Sequence, residues 1–224
     1  MRCQTRCGNK SSEEGDATLK AFSDKILKLV EENEIEEIYN ADQTAINYEY
    51  LGRKTVNAVG EKRVWIRTSG HEKQRATAML LANSKGEIFF LFIVLKTTKC
   101  SVEKNVQENI DQRNGFGKVV WKEICKIQDK FTAQLYGNPT AWWNSAISCE
   151  FINYHFGNRK GKNVKPILLI WDDFAPHFCP KVIGLAASLN VMLEKVPPGF
   201  AWMCQPADVA WIKPFKTMMR KNWI

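Results

Sequence analysis

Apolar and polar positions along this chain switch between a strand period and a helix period, and each switch marks an element. Pro166-Ile167-Leu168-Leu169-Ile170-Trp171 runs without a polar residue into Asp172-Asp173. A short apolar run bounded by Pro and a polar turn predicts a strand buried on both faces. The carboxyl end of such a strand is where open α/β sheets place ligands. Ile38 to Ala41 reads as a second strand with Asp42 at its end. Residues 63–67, 76–82 and 87–95 read as further strands, and Asn83-Ser84-Lys85-Gly86 as the turn of a hairpin. Leu19, Phe22, Ile26, Leu29 and Val30 line one face of a helix that Asp16 is placed to cap. A short helix is expected over 119–131. Asn144 is placed to cap another through Ile147, Phe151, Tyr154 and Phe156.

Past Asp172, Pro180 suits a first helical position, with Val182, Leu185, Ala186 and Leu189 as the apolar face. Val191 to Val196 is a strand again, so the unit implies a right-handed parallel crossover. Gln205-Pro206-Ala207-Asp208 opens a final helix through Ile212, Phe215, Met218 and Met219, expected to be cut short. Residues 1–16 are polar and read as a flexible lead, leaving 17–224 as one domain. Residues 97–165 read as an insertion, because 96–140 is polar and irregular with Gly115, Gly117 and Gly137.

Composition narrows the function classes. The chain has 224 residues, 45% hydrophobic and 25% charged, an ordinary globular balance. No apolar run approaches the roughly 20 residues of a membrane-spanning helix, so no membrane partner is expected. No apolar core follows Met1, which argues against a secretory signal. The seven Cys, an odd number, read as reduced thiols of an intracellular protein. Cys3 and Cys7 lack a second Cys or His pair for zinc. A net charge of +8 and a pI near 9.1 favour a polyanionic partner such as nucleic acid. The basic loop 157–162 reads first as a solvated linker and second as a phosphate contact.

Within this basic chain the candidate chemistry is acidic. Asp42 and Asp172 each end an expected strand, and Asp208 lies in the first turn of an expected helix. If the two strands are parallel neighbours, three carboxylates converge. Such a set suits Mg²⁺ or Mn²⁺, hard cations that take oxygen ligands. Two such ions about 3.5–4 Å apart can activate an attacking oxygen and stabilise a leaving one. Taken singly, each Asp could equally be a turn residue or a helix-terminal carboxylate. Asp173 competes with Asp172. Successive strand residues face opposite ways, and Asp172, nearer the apolar run, is the better candidate.

Four stretches in order resemble one family. Tyr39-Asn40-Ala41-Asp42-Gln43-Thr44, Leu168-Leu169-Ile170-Trp171-Asp172 with His177 five residues on, Pro197-Pro198, and Gln205-Pro206-Ala207-Asp208 with Phe215-Lys216 resemble the DDE superfamily endonuclease domain of pogo/Tigger-type transposases. That group lies in the mariner superfamily, with centromere protein B and jerky-like proteins. Trp142-Trp143 also sits where the family has comparable text. The resemblance covers residues 20–224. It implies an α/β, RNase H-like fold: a mixed five-stranded sheet flanked by helices, with an insertion between the third and fourth core strands. It implies a catalytic and metal-binding triad of Asp42, Asp172 and Asp208 holding two Mg²⁺ or Mn²⁺ ions. The implied chemistry is DNA strand cleavage followed by strand transfer, in the nucleus, with a homodimer as a further expectation. Asp173, His177, Gln205 and Lys216 are expected to support the triad or contact DNA.

Three positions depart from the family's usual text. Gln43 stands where Glu is common, Asp173 where Asn or Gly follows the second Asp, and Ala207 where Leu precedes the third. Residues 1–16 leave no room for a helix-turn-helix DNA-binding domain. These departures keep open a transposase-derived DNA-binding protein without catalysis. An aspartate-based phosphohydrolase ranks lower, since position 44 is Thr and position 174 is Phe where a second Asp would be needed.

Overall fold

The computed structural model describes residues 11–49, 70, 74–159, 161 and 164–222. The strands are β1 (Glu37–Asn47), β2 (Arg75–Asn83), β3 (Phe92–Lys96), β4 (Gln134–Asn138), β5 (Ile167–Trp171) and β6 (Val191–Lys195). They form one mixed sheet in the order β4-β3-β2-β1-β5-β6. The pairs β1–β2 and β2–β3 are antiparallel; β1–β5, β5–β6 and β3–β4 are parallel. All strands but β2 therefore run the same way, and their carboxyl ends share one edge. An antiparallel meander followed by two parallel strands on its open side is the RNase H-like arrangement implied by the resemblance.

The helices are α1 (Ser12–Glu32), α2 (Glu103–Arg113), α3 (Lys118–Phe131), α4 (Ser145–Phe156), α5 (Pro180–Ser188), α6 (Ala201–Cys204) and α7 (Ile212–Asn222). Each face of the sheet has its own core, and β5 serves both. Ile167, Leu169 and Trp171 pack with Ile147, Phe151 and Ile152 of α4 and with Val182 and Ala186 of α5. Leu168 and Ile170 point the other way, onto Phe22 and Ile26 of α1 and Cys204 of α6. That two-sided burial is why the run carries no polar residue. Burying Phe22 and Ile26 contributes roughly 1.5–3 kcal/mol each and accounts for the docking of α1.

Several elements differ from expectation. The sheet has six strands, because the 97–165 segment adds β4 at the far edge of the five core strands. The same segment supplies α4, whose Ile147, Phe151 and Ile152 are fully buried in the main core, so that part is integral. α1 begins at Ser12 rather than after Asp16. Ser11 Oγ accepts from the Glu14 N–H and Glu14 reaches back to the Ser11 N–H, a capping box. Gly15, read as lead, is buried against Trp202. The strand expected over 87–95 forms only from Phe92, with Ile88 bridging Ala82. β1 continues to Asn47, leaving Asp42 inside the strand. The strand expected over 63–67 lies outside the described residues.

Candidate active site

β1 pairs with β5 only as far as Asn40↔Ile170, and continues beside β2 alone. Asp42 follows Asn40 by two positions, and Asp172 follows its partner Ile170 by two, just past the end of β5. Asp42 is 7% exposed and takes a 2.7 Å hydrogen bond from the Gln43 N–H. Its carboxyl is pushed up to about 8, first by burial and then by the charges of Asp208 and Asp172. Asp208 is raised by desolvation and by Asp172, with Lys216 pulling it back down. Asp42 thus feels the charges of both Asp208 and Asp172, and Asp208 feels that of Asp172.

Asp208 reaches them through a specific device. The segment Ala207–Trp211 is a π-helical turn running into α7, a rare form found mostly where function needs it. A pair of buried amides fixes that turn to the sheet. Asn40 Nδ2 donates to Ile170 O at 3.0 Å and to Gln205 Oε1 at 2.9 Å. Gln205 Nε2 donates to Ala41 O at 3.0 Å, and the Ala207 N–H donates to Asn40 Oδ1 at 3.0 Å. Asn40 is two residues before Asp42, Ile170 two before Asp172, and Ala207 one before Asp208. One clasp thus indexes all three carboxylates. Gln205 is fully buried. Asn40 lay inside a quoted motif, yet sequence reasoning assigned it no part, since a strand Asn carries no signal of its partners.

His177 is fully buried and stacks on Trp171, with ring centroids 3.7 Å apart. Its Nε2 lies 3.1 Å from Asp172 Oδ1, within ion-pair range but too bent to count as a hydrogen bond. Burial lowers its pKa and Asp172 raises it, with burial the larger effect. Asp173 turns away: its Oδ1 meets Lys195 Nζ at 2.7 Å, on the exposed side.

The donor set suits a hard divalent cation, because carboxylates held together against their own repulsion gain most from a positive charge. Among the described residues, no three His, Cys, Asp or Glu side chains are placed to close round one ion. Asp42 Oδ1 is turned to its own backbone and Asp172 Oδ1 to His177.

The family model for the DDE superfamily endonuclease matches residues 73–224, a span that holds Asp172 and Asp208 and starts after Asp42. The chain is similar to the "Pogo transposable element with KRAB domain" of Homo sapiens, 26% identical over 202 residues, covering 88% of this chain and 29% of that protein. The Mus musculus protein of the same description is 25% identical with the same coverage. The chain thus spans 29% of the length of these curated relatives. Among solved structures it is similar to the Mos1 strand transfer complex, at 12% identity and a TM-score of 0.49, covering 99% of this chain and 51% of that one. The Mos1 mariner paired end complex with Mn has 12% identity and a TM-score of 0.45, with 99% and 52% covered.

Proposed function

This chain belongs to the DDE superfamily endonuclease family, and from that premise we propose that it cleaves DNA strands and joins the freed end to target DNA. Asp42, Asp172 and Asp208 would hold the divalent cations, Mg²⁺ or Mn²⁺, as a pair, and ions bound there would supply activation of an attacking oxygen and stabilisation of a leaving one. The chain's own residues do the rest. The Asn40–Gln205 clasp sets the spacing of the carboxylates, and Lys216 offsets the charge of Asp208. The observation that carries this reading is the buried amide clasp, which ties together Asn40, Ile170 and Ala207, the close sequence neighbours of Asp42, Asp172 and Asp208.

The net charge of +8 suits a phosphate backbone as partner. α3 adds a ridge of exposed lysines at four-residue spacing, Lys118, Lys122, Lys126 and Lys130, with Lys126 also paired to Glu123 at 3.0 Å. The same reading takes the nucleus as the compartment and a homodimer as the working form. Nicking of supercoiled plasmid with Mg²⁺ or Mn²⁺, wild type against Asp172→Asn, tests the proposal. Equal nicking by the two proteins would sink it.

One observation favours a second reading, DNA binding without catalysis: no three ligand side chains among the described residues close round an ion. Salt-sensitive DNA binding with no metal-dependent nicking would select it.

A further inference from the structure

Behind Asp172 lies a buried polar chain that strand ends and carboxylate spacing do not require. Trp143 Nε1 donates to Ser148 Oγ at 2.9 Å. Ser148 Oγ lies 3.0 Å from His177 Nδ1, and His177 Nε2 lies 3.1 Å from Asp172 Oδ1. Ser148 and His177 are fully buried and Trp143 is 5% exposed. Three polar groups in a dry core are costly unless each serves its neighbour.

The far end of the chain is held by a tight turn. Asn138 Oδ1 accepts from the Thr140 N–H and hydroxyl, both at 2.8 Å, and Asn138 Nδ2 donates to Trp142 O at 3.2 Å. Thr77 Oγ1 donates to Ala141 O at 3.0 Å, and Ala141 is held at φ +57°. Left-handed backbone at Ala costs on the order of 1–3 kcal/mol and persists only where its surroundings impose it. The turn sends Trp142 outward, 63% exposed under Arg75, and Trp143 inward to Ser148.

The donor inventory decides how the protons lie. An indole N–H only donates, so Trp143 occupies an acceptor site on Ser148 Oγ. The single Ser148 proton has two candidate acceptors, His177 Nδ1 at 3.0 Å and Asn144 O at 3.2 Å. With the proton on the nearer nitrogen, a neutral imidazole carries its own proton on Nε2, facing Asp172. With the proton on Asn144 O, the Nε2 lone pair would face a carboxylate that only accepts. The first arrangement turns a donor toward the carboxylate, and the second sets two acceptors against each other.

We propose that Trp143 and Ser148 are positioning residues for Asp172: they hold His177 as its Nε2–H tautomer, which restrains Oδ1 of Asp172 and leaves the other oxygen for the cation. The bent 3.1 Å contact aligns by a small turn of the carboxylate, as such bonds do when a site fills. The tautomer assignment stands on the buried chain alone, and the effect on the cation rests on the function proposed above.

Two measurements on the whole chain test it. Long-range ¹H–¹⁵N spectra without metal report the His177 tautomer, and calorimetry reports Mn²⁺ affinity. Wild type is expected as Nε2–H. Ser148→Ala is expected to mix or reverse the tautomer and to weaken Mn²⁺ about 10–100-fold, the usual loss when a ligand's supporting partner is removed. Trp143→Phe keeps the ring against Phe92 and Phe151 and is expected to act in the same direction, which keeps the test open if Ser148→Ala folds poorly. An Nδ1–H tautomer in wild type overturns the proposal, as do variants with unchanged tautomer. Altered tautomers with wild-type Mn²⁺ affinity overturn the positioning role. Failure of wild type to bind Mn²⁺ defeats the proposed function, while the spectra still decide the tautomer.

Discussion

Asn40 and Gln205 stand 165 residues apart in sequence, and their side-chain amides meet at 2.9 Å in the core. Between them they satisfy Ile170 O, Ala41 O and the Ala207 N–H. Gln205→Leu leaves Ala41 O and Asn40 Nδ2 short of partners in a dry site. The cost is expected at about 2–3 kcal/mol, the range for stranded buried polar groups. Urea unfolding measures it. Metal-dependent nicking should fall further than stability does, because the Asp208 turn loses its anchor.

The charge state of Asp42 makes a prediction of opposite sign to the usual carboxylate. Its folded pKa, about 8, lies above the ordinary 3.8. Ionising it in the folded chain is therefore a cost, absent at pH 4 and growing as pH rises toward 8. Asp208 and Asp172 add to that cost, and Lys216 acts on Asp208 against it. Asp42→Asn is expected to be more stable than wild type at pH 8, by on the order of 2–5 kcal/mol, and equal to it near pH 4. Thermal melts across that range decide this. Mn²⁺ should stabilise wild type increasingly as pH rises, and leave Asp42→Asn nearly unmoved.

Two helical glycines should respond to alanine with opposite signs. At Gly15 a Cβ would lie 2.9 Å from the Trp202 ring and 3.0 Å from Met203 Sδ. At exposed Gly184 it would meet nothing within 4 Å. Gly184→Ala is expected to stabilise by about 0.5–1 kcal/mol. Gly15→Ala receives the same helix gain but must push a packed indole aside, so a net loss of about 1–2 kcal/mol is expected. Chemical denaturation of the pair is the check.

Gly115 and Gly86 separate space from conformation. Both sit near φ +84°, at +83° and +85°. A Cβ at Gly86 is unobstructed, and one at Gly115 would lie 2.0 Å from Gly137 O. Gly86→Ala should cost about 1 kcal/mol, the strain of left-handed alanine. Gly115→Ala should cost several times more, because the α2–α3 connection and β4 cannot both keep their places.

Asp173→Asn should change stability by less than about 1 kcal/mol, since the pair with Lys195 is solvent-exposed. Nicking should stay near wild type. An effect as large as that of Asp172→Asn would reverse the choice between the two.

What could be read in the sequence was what packing dictates. The β5 run, the face of α1 and the Pro180 start of α5 each carry a period that burial imposes, so their positions stood out. β4 did not, because Gln134-Leu135-Tyr136-Gly137-Asn138 is an edge strand with two apolar side chains. α2 did not, since its 11 residues bury only Arg113, held by Glu108 and Asn109 of its own helix. The carboxylates were legible as residue types beside apolar runs and at a helix start, although Asp42 lies inside β1 rather than at its end. Their supports were not: Asn40 and Ser148 are small polar residues whose partners lie 165 and 29 positions away. No local period encodes a contact at that separation.

The amide clasp also sets a clock. During synthesis β1 emerges early, with Asn40 and Ala41 ready, while Ala207 follows 167 residues after Asn40. At ribosomal speeds of roughly 5–20 residues per second, that gap lasts on the order of 10–30 seconds. The meander can pair in that time and β5 can join it, yet Asp208 has no seat until Gln205 docks. A nascent chain therefore carries Asp42 and Asp172 well before Asp208, and the three come together only when the π-helical turn locks on.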